Sequence, residues 1–388
     1  MIDFPAPDPA AQKLSAALSS VIREDIAGSD GSIPFARYMD RCLYEPGLGY
    51  YSAGLQKFGS GGDFVTAPEV SPLFGQCIAR SCSAVLASLG GGDILEFGAG
   101  SVRLALDLIA GLERLDALPR RYLILERSAE LRQRQQETLR EHLPQLVDRV
   151  SWIDVLPGAD FRGVMLANEV LDAMAVERFQ WDGETARLFH VAFDGERFHW
   201  QLTDTQDDTT RRIATLCADC DLPAGYISEV NAGLPAWLQA VGERLRQGLL
   251  LLIDYGYPRH EYYHSQHGSG TLMCHYRQRA HDDPFLWPGL QDITAHVDFT
   301  AVAEAAVAAG LDVSGYTTQA GFLLDSGLDE LLQCAGPGDS VSYMKLAQQA
   351  KTLILPGEMG ERFKCIALTR GHDIDIPGFR LQDYRNRL

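Results

Sequence analysis

Asp93-Ile-Leu-Glu-Phe-Gly-Ala-Gly-Ser-Val-Arg-Leu-Ala-Leu-Asp-Leu-Ile109 reads as strand, tight turn and helix. Ile94, Leu95 and Phe97 form a short apolar run after Gly90-Gly91-Gly92. Gly98-Ala99-Gly100 then makes a turn from which side chains are nearly absent. Leu104, Ala105, Leu108 and Ile109 recur at helical spacing, and Ser101 stands where an N-cap is expected. A glycine turn feeding a helix N-terminus lets backbone approach a ligand closely and aims free N–H groups at it. Glu96 puts a carboxylate near the carboxyl end of the strand, where open α/β sheets bind ligands.

The third glycine of a dinucleotide fingerprint would fall at position 103, which is Arg103. That glycine gives close helix–strand packing around a pyrophosphate, so the turn fits a nicotinamide dinucleotide poorly. Glu96-x-Gly98-x-Gly100 suits a nucleoside ligand without pyrophosphate, such as S-adenosylmethionine. The plain alternative is a strand–helix turn with no ligand.

The next strands repeat the pattern. Tyr122–Leu125 ends in Glu126, some two dozen residues past the glycine turn, where doubly wound folds grip ribose hydroxyls. Val150–Ile153 ends in Asp154, placed to accept from an adenine amino group. Gly163–Ala167 ends in Asn168 and Glu169, with Asp172 three residues on, and a helix is expected to start there. One polar strand end is ordinary turn chemistry; four on one edge read as a ligand crevice. Gly248–Ile253, an unbroken apolar run, is a buried strand ending in Asp254. Val313–Thr318 and Phe363–Thr369 are two late strands around helices between 320 and 352.

Outside this core, residues 10–28, 34–48, 71–89 and 128–143 carry helical periodicity. The glycine-rich stretch 54–69 has no regular period, and its Asp63, Thr66 and Glu69 are candidates to line a site. Asp194-Gly195 signals a hairpin. The expected organisation is a helical N-terminal region over 1–90 carrying a cofactor-capping loop. A single α/β domain follows over 91–388, with insertions at 177–225 and 257–298.

Composition bounds the function. The chain has 388 residues and is 46% hydrophobic and 22% charged, as for an ordinary globular protein. Its net charge of −18, with 34 basic against 52 acidic residues, argues against a nucleic-acid partner. No apolar run reaches the length of a membrane span. The first residues fit neither a secretory signal nor a transit peptide, so a cytoplasmic protein is expected. The eight cysteines are scattered, and Cys217-x-x-Cys220 lacks a second pair at zinc spacing. His260, His264 and His267 match no metal pattern, so no metal is expected.

A wider set of motifs carries a resemblance. Gly49-Tyr-Tyr51, Gly62-Asp-Phe-Val-Thr-Ala-Pro-Glu-Val-Ser71, Phe74-Gly75, Leu95–Gly100, Asn168–Ala173, Ile253–Gly256, Asp292-Ile-Thr294, Val297-Asp-Phe299 and Met359–Lys364 occur in order. Over roughly 35–370 the chain resembles the MidA family of class I methyltransferases, found in bacteria and, as complex I assembly factors, in mitochondria. The resemblance implies a seven-stranded, mostly parallel Rossmann-like sheet with helices on both faces, and S-adenosylmethionine as cofactor. For the mitochondrial member it implies methylation of an arginine in a complex I subunit. A protein substrate with a target arginine is therefore the expected partner; a homodimer is among the open oligomeric states. Val102 stands where the family has glycine.

The site expected from these readings places the cofactor along Glu96, Gly98, Ala99, Gly100 and Ser101. Glu126 takes the ribose, Asp154 the adenine, and Asn168, Asp63 and Thr66 lie alongside. Glu169 and Asp172, with His296 and Asp298 secondary, are the carboxylates and imidazole expected to orient a guanidinium. Two other readings stand beside this one: an NAD(P)-dependent oxidoreductase, which Arg103 disfavours, and a non-catalytic assembly protein that kept the fold.

Overall fold

The computed structural model describes residues 4–53, 65–126, 128–334, 340–371 and 374–388. The chain forms two compact units, each built from separated segments. The first takes the described residues of Met1–Phe64 with Asp172–Gly233 and His260–His296. The second takes Val65–Leu171, Leu234–Arg259 and Val297–Leu388. This differs from the sequence expectation. The stretches read as insertions gather with the N-terminal helices because their strands pair with one another: Ser32–Pro34 lies antiparallel to Ala186–Phe193, and Glu177–Trp181 to Ile227–Val230.

The second unit holds the parallel sheet. Its strands are β1 (Asp93–Phe97), β2 (Tyr122–Leu125), β3 (Val150–Ile153), β4 (Phe161–Asn168), β5 (Leu245–Tyr257), β6 (Asp312–Thr318) and β7 (Phe363–Arg370). The order across the sheet is β3-β2-β1-β4-β5-β7-β6, and a short strand, Val297–Asp298, adds parallel to the end of β5. β7 alone runs antiparallel to its two neighbours. The helices are α1 (Ala67–Val70), α2 (Pro72–Ser88), α3 (Arg103–Arg114), α4 (Ala129–His142), α5 (Leu234–Arg244), α6 (Phe299–Ala308), α7 (Gln319–Asp325), α8 (Leu328–Cys334) and α9 (Ser340–Ile354).

All seven expected strands are present, and their apolar runs explain them. Leu249, Leu250, Leu251 and Leu252 of β5 are fully buried, as a central strand covered on both faces requires. Along β1 the side chains alternate. Ile94 joins Phe74, Ile78, Leu104 and Leu108 of α2 and α3 in one core, while on the other face Phe97 meets the Trp237 ring of α5 edge-on at 5.4 Å. Each fully buried aliphatic side chain contributes roughly 1.5–3 kcal/mol.

The first unit is antiparallel. Ala186–Phe193 pairs with Ser32–Pro34, Glu177–Trp181 and Phe198–Leu202, and the last pairing closes the hairpin expected at Asp194-Gly195. A helix over Pro9–Ala27 starts on Asp8, whose carboxylate accepts the N–H groups of Ala10 and Ala11 at 2.9 Å. Its Leu18 and Ile22 pack with Phe35 and Tyr38. A three-stranded sheet joins Met273–Tyr276, Arg279–His281 and Asp292–Thr294.

Candidate active site

The glycine turn after β1 is a left-handed bend. Gly98 and Gly100 have φ of 61° and 50°, and Val102 follows at 59°. Glycine takes such backbone without penalty, whereas a β-branched residue there is strained. Val102, not Ser101, is the N-cap of α3, and it gives the helix no side-chain cap. The Ser101 hydroxyl instead donates to the carboxylate of Glu69 on α1. The Val102 side chain is fully buried in the α2–α3 core, so it packs rather than crowding the turn.

At the end of β2, the Glu126 carboxylate accepts the Ser128 N–H through Oε1 at 2.9 Å. Gln135 of α4 lies 3.4 Å from the other oxygen. Asp154, beyond β3, is largely exposed and forms an ion pair with Arg132 of α4. The carboxylate read as the adenine partner is thus already in contact with a guanidinium. Glu96 is corrected further: its carboxylate is 2% exposed and accepts the Tyr122 hydroxyl at 2.6 Å, inside the core rather than on the rim. Burial pushes its pKa up to about 7, against the opposing hydrogen bond from Tyr122.

β4 lies beside β1, with Ala167 opposite Phe97, so Asn168 and the glycine turn leave the sheet side by side. The expected helix at Glu169 does not form. Glu169 takes a left-handed φ of 51°, and its N–H bonds the Ile253 carbonyl at 2.9 Å. Asp254, at the end of β5, accepts the N–H groups of Val170 and Leu171 on Oδ2 at 3.2 and 2.9 Å. That carboxylate fixes the loop which carries Glu169. Asn168 Nδ2 donates to Glu169 Oε1 at 3.1 Å. Among the described residues, Asn168 Oδ1 is buried with no hydrogen-bond donor.

A family profile described as "Putative S-adenosyl-L-methionine-dependent methyltransferase" matches residues 77–317. The chain belongs to this methyltransferase family. A Burkholderia thailandensis protein crystallised with S-adenosyl-homocysteine is similar at 44% identity and a TM-score of 0.95, covering 100% of both chains. A native structure of an uncharacterised protein from the same organism gives 43% and 0.93, again over 100% of both. The mitochondrial protein arginine methyltransferase NDUFAF7 of Danio rerio is 28% identical, over 86% of this chain and 82% of its own length. The human protein of that name is 27% identical, over 92% and 83%.

The residues of the methyltransferase unit fit S-adenosylmethionine. The uncapped start of α3 offers N–H groups to a carboxylate. The buried Asn168 Oδ1 is an acceptor in want of a donor, which an ammonium group supplies. Glu126, at the end of β2, is the carboxylate to which ribose hydroxyls would donate. Thr66 stands at the N-cap of α1, where its carbonyl accepts the Glu69 N–H at 2.9 Å. Asp63 lies outside the described residues.

The remaining candidates divide. Asp298 caps α6 through the N–H groups of Thr300 and Ala301 and pairs with Arg259, whose Nε lies 3.3 Å away. Those contacts are structural. In the first unit, Asp172 is buried, and its carbonyl accepts the Ala295 N–H at 3.0 Å. The His296 N–H donates to the Thr271 hydroxyl at 3.1 Å. Near Asp172 sits a group the residue-by-residue reading missed. The Tyr44 and Tyr51 rings stack at 5.5 Å, Tyr51 donates to Asp292 at 3.0 Å, and Tyr44 donates to the Ala173 carbonyl at 2.9 Å. Gly49-Tyr-Tyr51 and Asp292-Ile-Thr294, among the motifs quoted above, were its signal.

Proposed function

We propose that this methyltransferase acts on arginine side chains of a protein partner. The observation that carries the reading is Glu169, a carboxylate held in left-handed backbone at the end of β4, next to the glycine turn. A guanidinium stays protonated at neutral pH, and it is oriented best by carboxylates through paired N–H···O bonds. Bound S-adenosylmethionine supplies an electrophilic methyl group. Glu169 receives the guanidinium and fixes its plane; Asn168 steadies that carboxylate, and Asp254 holds the backbone beneath it. In the first unit, Asp172 and Asp292 beside two stacked tyrosines offer a cation similar chemistry. The names of the mitochondrial relatives, at identities below 30%, support arginine as the acceptor.

The test is direct. The purified chain is incubated with methyl-labelled S-adenosylmethionine and protein extract, and the labelled residues are identified by mass spectrometry. Label on arginine is expected. Label confined to lysine, carboxylates or small molecules would sink the proposal.

A further inference from the structure

α4 carries a buried polar residue that the glycine-turn reading does not use. Gln135 is 1% exposed, a poor place for an amide unless every part of it is bonded. Its Nε2 donates to the Gly100 carbonyl at 3.0 Å and lies 3.4 Å from Glu126 Oε2. Its Oε1 accepts the indole N–H of Trp152, on β3, at 2.7 Å. One amide thus joins the turn after β1, the carboxylate after β2 and a ring on β3. Arg132, three residues earlier on the same helix face, adds to this. Its Nε donates to the Glu126 carbonyl at 2.6 Å, one terminal nitrogen reaches the Ile153 carbonyl at 3.4 Å, and the same group pairs with Asp154.

We infer that Gln135 is a positioning residue for S-adenosylmethionine, setting the spacing between the glycine turn and the ribose carboxylate. The inference rests on the glycine turn and Glu126 as parts of the cofactor site, and it holds whatever the methyl acceptor is. The neutrality of the side chain is the reason for an amide here. A lysine or arginine in its place would form an ion pair with Glu126 and compete with the ribose hydroxyls. A glutamine touches the carboxylate without setting a second formal charge beside it. Holding the Gly100 carbonyl fixes that peptide plane, and with it the direction of the neighbouring N–H groups, before the ligand arrives. Preorganisation of this kind raises affinity by removing an ordering cost from binding.

The test measures S-adenosyl-homocysteine affinity by calorimetry, with thermal unfolding of the free protein in parallel. Gln135→Met keeps the volume and removes every hydrogen bond. Gln135→Glu keeps an acceptor for Trp152, loses the donor to Gly100 and sets a second negative charge beside Glu126. Both are expected to weaken binding by about tenfold or more, as the loss of buried partners predicts. Trp152→Phe, which keeps a ring and removes the N–H, is expected to weaken it less than either. Unchanged affinity in both Gln135 variants, with only the unfolding temperature lowered, would reduce Gln135 to a core residue and overturn the inference. If Gln135→Met fails to fold, judged by circular dichroism, Gln135→Glu decides alone.

Discussion

The Tyr122 hydroxyl donates to Glu96 Oε2 at 2.6 Å across neighbouring parallel strands, with both side chains sealed in the α2–α3 core. The consequence is a stability that depends on pH. Burial raises the Glu96 pKa from its ordinary 4.5 to about 7. An acid with a raised folded pKa binds more protons folded than unfolded. Its contribution is therefore intact below pH 4.5, falls as pH rises towards 7, and stays lost above. The size is on the order of 3 kcal/mol. Glu177, also pushed to about 7 by burial, titrates in the same window, so the comparison needs a variant. Glu96→Gln is expected to flatten the decline of unfolding temperature between pH 5 and 8 and to be the more stable protein at pH 8. Identical pH profiles would show that Glu96 is not the titrating group.

Val102 yields a prediction with an unusual order. Its left-handed backbone costs about 1–3 kcal/mol for a non-glycine residue. Its burial contributes roughly 1.5–3 kcal/mol. Val102→Gly removes both, and the effects nearly cancel. Val102→Ala loses most of the packing and keeps most of the strain, so alanine is expected to be less stable than glycine at this position. Because the side chain packs in the core, both variants should bind S-adenosyl-homocysteine as the natural protein does. Thermal melts of the three proteins check the order; an alanine variant more stable than the glycine one would refute the strain argument.

Glu126→Ala removes a carboxylate that accepts the Ser128 N–H and that the sequence reading assigns to the ribose. Calorimetry should find S-adenosyl-homocysteine bound about tenfold more weakly or worse, from charge-assisted hydrogen bonds of about 1.5–3 kcal/mol each before compensation. A small loss of stability is expected as well, because Ser128 caps α4. Full affinity in this variant would end the ribose assignment.

The second unit was legible in the sequence because its strands are short apolar runs bounded by turns, and a parallel sheet buried on both faces writes itself that way. The first unit was not. Its segments lie far apart in the chain, and what joins them is strand pairing such as Pro34 opposite His190, which no local period announces. The rim was legible in part. Glu96 shares a face with Ile94, so the two-residue alternation already pointed it inwards, and the glycine turn drew attention away from that. The missing helix at Glu169 has a cause at a distance: Asp254, 84 residues from Val170, accepts the N–H groups that a helix start would have left open. Gln135 sat unmarked in a polar helix, since nothing in spacing alone distinguishes a buried glutamine from its exposed neighbours.

Glu169 bears the sharpest test. Glu169→Gln keeps the volume and an acceptor for Asn168 but removes the charge. If the carboxylate orients a guanidinium beside the methyl donor, the variant should bind S-adenosyl-homocysteine normally. It should also lose methyl transfer by a few orders of magnitude, on the order of 3 kcal/mol or more of transition-state stabilisation. Asp254→Asn tests the support beneath. It replaces the charged acceptor that holds Val170 and Leu171 with a neutral amide, and should lower kcat less steeply by loosening the loop, again with cofactor affinity retained. A charge that merely favours the local backbone predicts something else for Glu169→Gln: a few tenths of a kcal/mol of stability lost and turnover untouched. Single-turnover rates of both variants, measured at saturating S-adenosylmethionine, separate the two accounts, and full turnover in Glu169→Gln would rule out a catalytic role for that carboxylate.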